Sequence, residues 1–149
     1  MKIFRITDSV WADKLIASGR PARWNSKDIR MLYFAQSVSL ACLENAVHRS
    51  ALELKDKNYN LVTVEAPVDS KIINEKDLPD GWNEVSPEAI FLCRSFGDRW
   101  IQSNSSLLLR VPSVIVSGEY NFLVNPKHPD FKKLKIIKIS AFLFDSRIK

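Results

Sequence analysis

Three side chains able to do chemistry fall in one stretch, RWNSKDIRMLYFAQSVSLACLE, which carries Arg23, Tyr33 and Glu44. A loop arginine can clamp a phosphate or carboxylate through two parallel N–H donors; beside Trp24 it can equally stack on the indole at the surface. A strand tyrosine offers a ring that stacks on a planar group, or else a half-buried core ring with a satisfied hydroxyl. Glu44 is the most informative of the three. Winding the residues after Ser37 at 100° each puts Leu40, Val47 and Ala51 on one helix face, and Glu44 falls inside that stripe. A carboxylate on an apolar face needs partners or a purpose, because an isolated buried charge is costly. It can accept hydrogen bonds from sugar hydroxyls and steady positive charge on a sugar at an oxocarbenium-like transition state. Its structural alternative is a salt bridge to Arg5 or Arg23, and the two readings are compatible.

Other candidates carry weaker signals. Arg5 is the basic residue in the interior of the first strand, and Ser113 follows Pro112 in a run of Leu, Val and Ile where a hydroxyl can simply bond backbone. His48, one turn beyond Glu44, reads as a flanking surface residue. Asn121 and Asn125 read as turn and strand-end chemistry. The run Gly97-Asp98-Arg99-Trp100 reads as a helix bend with a salt bridge.

The elements that must position these residues follow from periodicity. KIFRIT is a strand over 2–7, with Ile3 and Arg5 on one face. Asp8 or Ser9 is expected to cap a helix carrying Val10, Trp11, Leu15 and Ile16, stopped by Gly19. GRPARWN is a loop, and a strand follows over about 30–35. Ser37 caps the helix of Glu44, which is expected to run to near Leu54. LVTVEA is a strand over 61–66, and 67–86 is irregular. Pro87 opens a helix through PEAIFLCRSFGDRWIQS. SLLLRVPSVIV, YNFLV, LKIIKIS and AFLFD supply the remaining strands. Helices and strands interleave early and strands dominate late, which predicts a single α+β domain over 1–149 with a mixed or antiparallel sheet core and flanking helices.

Composition narrows the function classes. With four glycines there is no Gly-rich phosphate loop, so a Rossmann or P-loop site is excluded. Two cysteines, Cys42 and Cys93, and two histidines, His48 and His128, argue against a disulfide framework and against a metal site. No apolar run reaches the roughly 20 residues of a membrane span, and Asp8 and Asp13 interrupt any signal-like N-terminus. A cytoplasmic protein is the expectation. The formal charge of +5 is compatible with nucleic acid or a small anionic substrate. Its dense cluster, Lys132, Lys133, Lys135 and Lys138, alternates with apolar residues as a solvated strand face would, and the charges do not gather around the aromatics.

Taken in order, FRI, ARWN, LYFAQS, LACLENAVH, GDRW, LLLRVPSVIV, EYNFLVNPKHPDF and FLFDSRI resemble the RES-domain family, named for its arginine, glutamate and serine, over essentially the whole chain. The resemblance implies a fold similar to that of ADP-ribosyltransferase toxins. It also implies the toxin of a type II toxin–antitoxin pair, with an Xre-like helix-turn-helix antitoxin as the partner that blocks the active site and makes any contact with DNA. NAD⁺ is then the substrate, with no further cofactor: members hydrolyse or phosphorolyse it, or transfer ADP-ribose to a protein. Carried over by motif, the active-site arginine falls on Arg23, the tyrosine on Tyr33, the glutamate on Glu44, the serine of VPS on Ser113 and the first-strand arginine on Arg5. Before RWN this chain has GRPA where many members carry glycines. The implied roles are Arg23 and Arg5 on the pyrophosphate, Tyr33 against nicotinamide or its ribose, Glu44 on the ribose hydroxyls and the oxocarbenium, and Ser113 in the nicotinamide half. A basic nucleic-acid-binding module without catalysis is the competing class.

Overall fold

Alternating apolar residues build most of the strands that hold the site. A computed structural model describes residues 1–68 and 71–148; Asp69 and Ser70, inside the expected irregular stretch 67–86, and Lys149 lie outside the described residues. The strands are β1 (Lys2–Asp8), β2 (Leu32–Ala35), β3 (Tyr59–Glu65), β4 (Lys71–Ile72), β5 (Leu108–Pro112), β6 (Tyr120–Val124) and β7 (Lys135–Phe142). Among the described residues three α-helices join them: α1 (Val38–His48), α2 (Ala51–Asp56) and α3 (Pro87–Ser103). The sheet runs β4-β5-β6-β2-β1-β3-β7. Its neighbours are antiparallel except β4 beside β5. The expected α+β class with a mixed sheet is the observed one.

Register decides which residues share a face, since residues opposite one another in an antiparallel pair project to the same side. Leu109 opposes Leu123, Leu123 opposes Tyr33, and Ala35 opposes Phe4. That face carries two clusters. One gathers Leu109, Val111 and Leu123 under Cys93, Trp100 and Ile101 of α3; the other gathers Ile6 and Ala35 under Leu40 and Ala41 of α1. The opposite face, with Ile3, Phe34, Val62, Val64 and Phe122, is covered by Ala12, Leu15 and Ala17 and by Phe131 and Leu134. One face of the sheet therefore supports α1 and α3 side by side.

Several expected elements take a different form. No α-helix forms over 10–16; a short 3-10 turn at Ser9–Trp11 is capped by Asp8, whose carboxylate accepts from the Val10 N–H at 3.2 Å. The residues that bury there, Ala12, Leu15 and Ala17, follow the sheet surface rather than one helical stripe, and Val10, Trp11 and Ile16 stay exposed. Gly19 turns the chain with φ +73°, and its carbonyl accepts from the Asp28 N–H at 2.8 Å. Ser37 caps α1 as expected, but the helix ends at His48 because Arg49 is extended. Ser50 then starts α2 with a capping box: its hydroxyl accepts from the Glu53 N–H, and the Glu53 carboxylate accepts from the Ser50 N–H. The S-x-x-E signature for this break is visible in the sequence. Ser50→Ala is expected to cost about 1 kcal/mol, lowering Tm by about 2–4 °C for a chain of this size, as thermal denaturation followed by circular dichroism would read.

The last strands also rearrange. β5 stops at Pro112, and Ser113 turns the chain instead of extending the strand to Val116. LKIIKIS and AFLFD join into the single edge strand β7, kinked by an irregularity opposite Thr63 and Val64. Helix α3 spans the expected residues, unbroken through Gly97.

Candidate functional site

β3 pairs with every residue of β1, whereas β2 meets β1 through one pair only, Phe4 opposite Ala35. From Arg5 onward β1 and β2 separate, and a cleft of about 1030 Å³ opens along the gap. Residues of both parities from β1, Phe4 to Thr7, line it, as expected for a cleft that opens at a strand's edge rather than on its face. Helix α1 forms one wall and the 20–24 loop with Arg94 of α3 the other. The volume is at the upper end of roughly 300–1,000 Å³ for small-molecule sites, enough for an extended ligand.

Glu44 stands on the α1 wall, not inside a buried stripe. The buried residues of α1 are Leu40, Ala41 and Ala46, and Val47, expected in the apolar face, is 51% exposed and lines the cleft beside Glu44 and His48. The expected stripe winds off the edge of the sheet and becomes a cleft wall. Asn121 of β6 donates its side-chain N–H to Glu44 Oε1 at 2.5 Å, and His48 Nε2 lies 3.8 Å from Oε2. Neither Arg5 nor Arg23 pairs with Glu44. One carboxylate oxygen is thus fixed by a neutral donor, and the other faces the cleft beside a mostly exposed imidazole. Reading Asn121 as strand-end chemistry missed this partner; its register opposite Ala35, one residue before the turn into α1, is what brings it there.

Arg23 enters from the opposite wall. Its Nη1 donates to the carbonyls of Trp82 and Glu84, each at 2.8 Å. The guanidinium is not stacked on Trp24, which is buried edge-on to Phe96 at 5.9 Å. Arg5, Arg20, Arg49 and Arg94 also line the cleft, against the carboxylates Glu44 and Glu53. Five arginines far apart in the sequence thus converge on one concave surface, an arrangement that raises local anion concentration. Burial lowers the pKa of the Arg5 guanidinium from its ordinary value; its hydrogen bond is a long one, to Thr7 Oγ1 at 3.5 Å. An anion arriving there would offset that desolvation.

Tyr33 lies on the cleft floor with its hydroxyl fully engaged. It donates to Asn25 Oδ1 at 2.6 Å and accepts from the Trp24 N–H at 3.3 Å. Burial drives the phenol well above its ordinary range, so it stays protonated as a donor. Asn25, 1% exposed, shares its amide N–H groups among the carbonyls of Arg20, Ser26 and Ile29. Nothing in the RWN spacing revealed this hub, because Asn25 read only as part of the GRPARWN loop. Asn25→Ala leaves those groups without partners in a buried setting and is expected to cost about 3 kcal/mol, measurable by urea denaturation.

Ser113 is placed differently. Its hydroxyl accepts from the N–H groups of Ile115 and Val116 at 3.0 and 3.1 Å, and its own N–H donates to the Glu119 carbonyl at 2.8 Å. Buried, it folds the β5–β6 loop that presents Val114 and Ile115 to the cleft. The same hairpin reaches α1 a second time, where Glu119 accepts from the hydroxyl of Ser37 at 2.8 Å. The structure thus brings Arg5, Arg23, Tyr33 and Glu44 to one cleft and sets Ser113 behind its wall. Among the described residues no cluster of three His, Cys, Asp or Glu side chains fits a metal, and no helix is long and apolar enough to cross a membrane.

Known proteins share this arrangement of chain and fold. A toxin described as Prs ADP-ribosylating, from a Sphingobium species, is 38% identical over 144 residues, covering 92% of this chain and 88% of its own. The protein named Toxin Res of Yersinia enterocolitica is 37% identical over 131 residues, with 85% and 83% covered. In three dimensions, a chain of the crystal structure of the M. tuberculosis MbcT–MbcA toxin–antitoxin complex superposes with a TM-score of 0.73 at 16% identity, over 95% of this chain and 84% of that one, a likeness of fold. The family model described as RES domain matches residues 2–145, and this chain belongs to the RES-domain family.

Proposed function

We propose that this chain is the toxin of a toxin–antitoxin pair and cleaves the N-glycosidic bond of NAD⁺. The observation that carries the reading is the cleft itself: five arginines converge on a concave site whose α1 wall holds Glu44, oriented by Asn121. A dianionic pyrophosphate suits the arginines, Arg23 and Arg5 foremost, since guanidinium groups bind phosphate oxygens through paired donors. The free side of Glu44 then accepts from ribose hydroxyls. As the C1′–N bond breaks, its electron pair leaves with nicotinamide, and the carboxylate stabilises the positive charge left on the sugar. Nicotinamide leaves as a neutral molecule from what was a cationic pyridinium, so no general acid is required. Tyr33 contributes its ring to the floor of the nicotinamide side, and Ser113 acts there through the loop it folds.

The acceptor at C1′ separates three outcomes. Water gives ADP-ribose, inorganic phosphate gives ADP-ribose-1″-phosphate, and a protein side chain gives a modified target. The name of the Sphingobium relative favours transfer to a protein. A basic nucleic-acid module is disfavoured, because the arginines line a cleft that also holds Glu44 and Glu53 rather than an open groove. The partner that restrains such a toxin is an antitoxin with an Xre-like helix-turn-helix region, and the basic cleft suits an acidic segment of it.

The test is direct. Purified protein incubated with NAD⁺ is expected to release nicotinamide, detected by chromatography, and the co-product made with water, with added phosphate or with lysate identifies the acceptor. Absence of nicotinamide release under all three conditions would remove the reading.

A further inference from the structure

Helix α3 presents three consecutive contacts to alternate residues of the arginine loop. Arg94 Nε donates to the Ala22 carbonyl at 2.8 Å. At Gly97 the helix backbone comes so close to the Trp24 carbonyl that an added Cβ would overlap it. Asp98 Oδ1 accepts from the Ser26 N–H at 3.0 Å. Residues i, i+3 and i+4 of a helix share one face, so a single face of α3 meets the loop at residues 22, 24 and 26, where the chain bends at Arg23 and Trp24 and the Ala22 N–H donates to the Asn25 carbonyl at 3.1 Å. Phe96 adds an edge-on contact to the Trp24 ring at 5.9 Å, and the Tyr33–Asn25 pair holds the same segment from the sheet side.

We infer that Asp98 and Gly97, in the run first read as a helix bend and salt bridge, are positioning residues that set where the Arg23 guanidinium stands in the cleft. This rests on the reading of Arg23 as a substrate anchor. Asp98 is the informative member, because it touches the loop backbone and does not line the cleft. A side chain bonded to the Ser26 N–H stops the loop from rotating about Asn25, so Arg23 is held between Ser26 and its own bonds to Trp82 and Glu84. The effect on substrate is therefore one of binding geometry, where a displacement of about 1 Å is enough to cost up to 10²-fold.

The experiment compares wild type, Asp98→Ala, Asp98→Asn and Arg23→Ala by nicotinamide release and by residue-resolved amide hydrogen exchange. Asp98→Ala is expected to raise KM for NAD⁺ about tenfold or more, with kcat changed much less, and to speed exchange at residues 22–27 selectively. Asp98→Asn keeps an oxygen for the Ser26 N–H and is expected to restore both. The inference is overturned if Asp98→Ala leaves KM unchanged, whether or not exchange rises, or if kcat falls as much as KM rises with a chain-wide loss of protection. Should Asp98→Ala fail to fold, the comparison passes to Asp98→Asn against Asp98→Ser, whose shorter hydroxyl does not reach the loop; equal KM in that pair overturns the inference. If wild type releases no nicotinamide, or Arg23→Ala is fully active, the catalytic reading fails instead, and unchanged exchange at 22–27 in Asp98→Ala would still sink the clamp by itself.

Discussion

Glu44→Gln is expected to reduce nicotinamide release by about 10²–10³-fold, the scale on which one preorganised electrostatic contact at a transition state acts, while leaving the protein folded. Glutamine keeps the shape of the side chain and an oxygen for the Asn121 donor at 2.5 Å, so the α1 wall and the β6 contact persist. What disappears is the negative charge facing the cleft. Alanine is a less clean test, because it also strands the Asn121 amide. Melting temperature within a few degrees of wild type, together with single-turnover rates, separates lost chemistry from lost fold. Full activity in folded Glu44→Gln would remove Glu44 from the mechanism.

The second large effect comes from Gly97→Ala. By helix propensity alone alanine should stabilise the interior of α3 by about 1 kcal/mol. The close approach of Trp24 predicts the opposite: the new methyl overlaps a backbone carbonyl, which no side-chain rotation relieves. Overpacking of this kind costs about 1–3 kcal/mol, and any shift that relieves it moves the loop bearing Arg23, with an expected activity loss of about 10²-fold. Gly118→Ala is the control. A Cβ there meets nothing within 4 Å, so only the strain of its left-handed φ of +84° remains, and activity should stay at the wild-type level. Urea denaturation and nicotinamide release on the two variants decide it: a more stable, fully active Gly97→Ala would show that α3 does not constrain the loop.

Local sequence determined a good part of this molecule. The helix PEAIFLCRSFGDRWIQS has its limits written in Ser86, Pro87 and its 3.6-residue period, and these match the observed Pro87–Ser103. The Ser37 cap and the strands around Arg5 and Tyr33 are equally local, resting on side-chain chemistry within a few residues. The break at Ser50 was legible too, in a capping box overridden by the longer periodic run. By contrast, the segment 10–16 has a helix-compatible pattern yet is spread over the sheet, because the exposed apolar face it covers outweighs a marginal helix of one or two turns.

The candidate site divides along the same line. Arg23, Tyr33, Glu44 and Arg5 stand out by residue type and motif, and their convergence on one cleft is compatible with the family they signal. Tertiary structure alone decided that Glu44 faces a cleft rather than a core, because that depends on β1 and β2 parting after a single pair. It also decided the partners. Asn121 and Glu119 reach α1 from 77 and 82 residues away, and Asp98 reaches Ser26 from 72. Hydrogen bonds across such separations leave no trace in local periodicity: they are set by strand order and register. That is why the chain's own letters name the groups able to do chemistry, while only the folded sheet shows which of them meet and what holds them there.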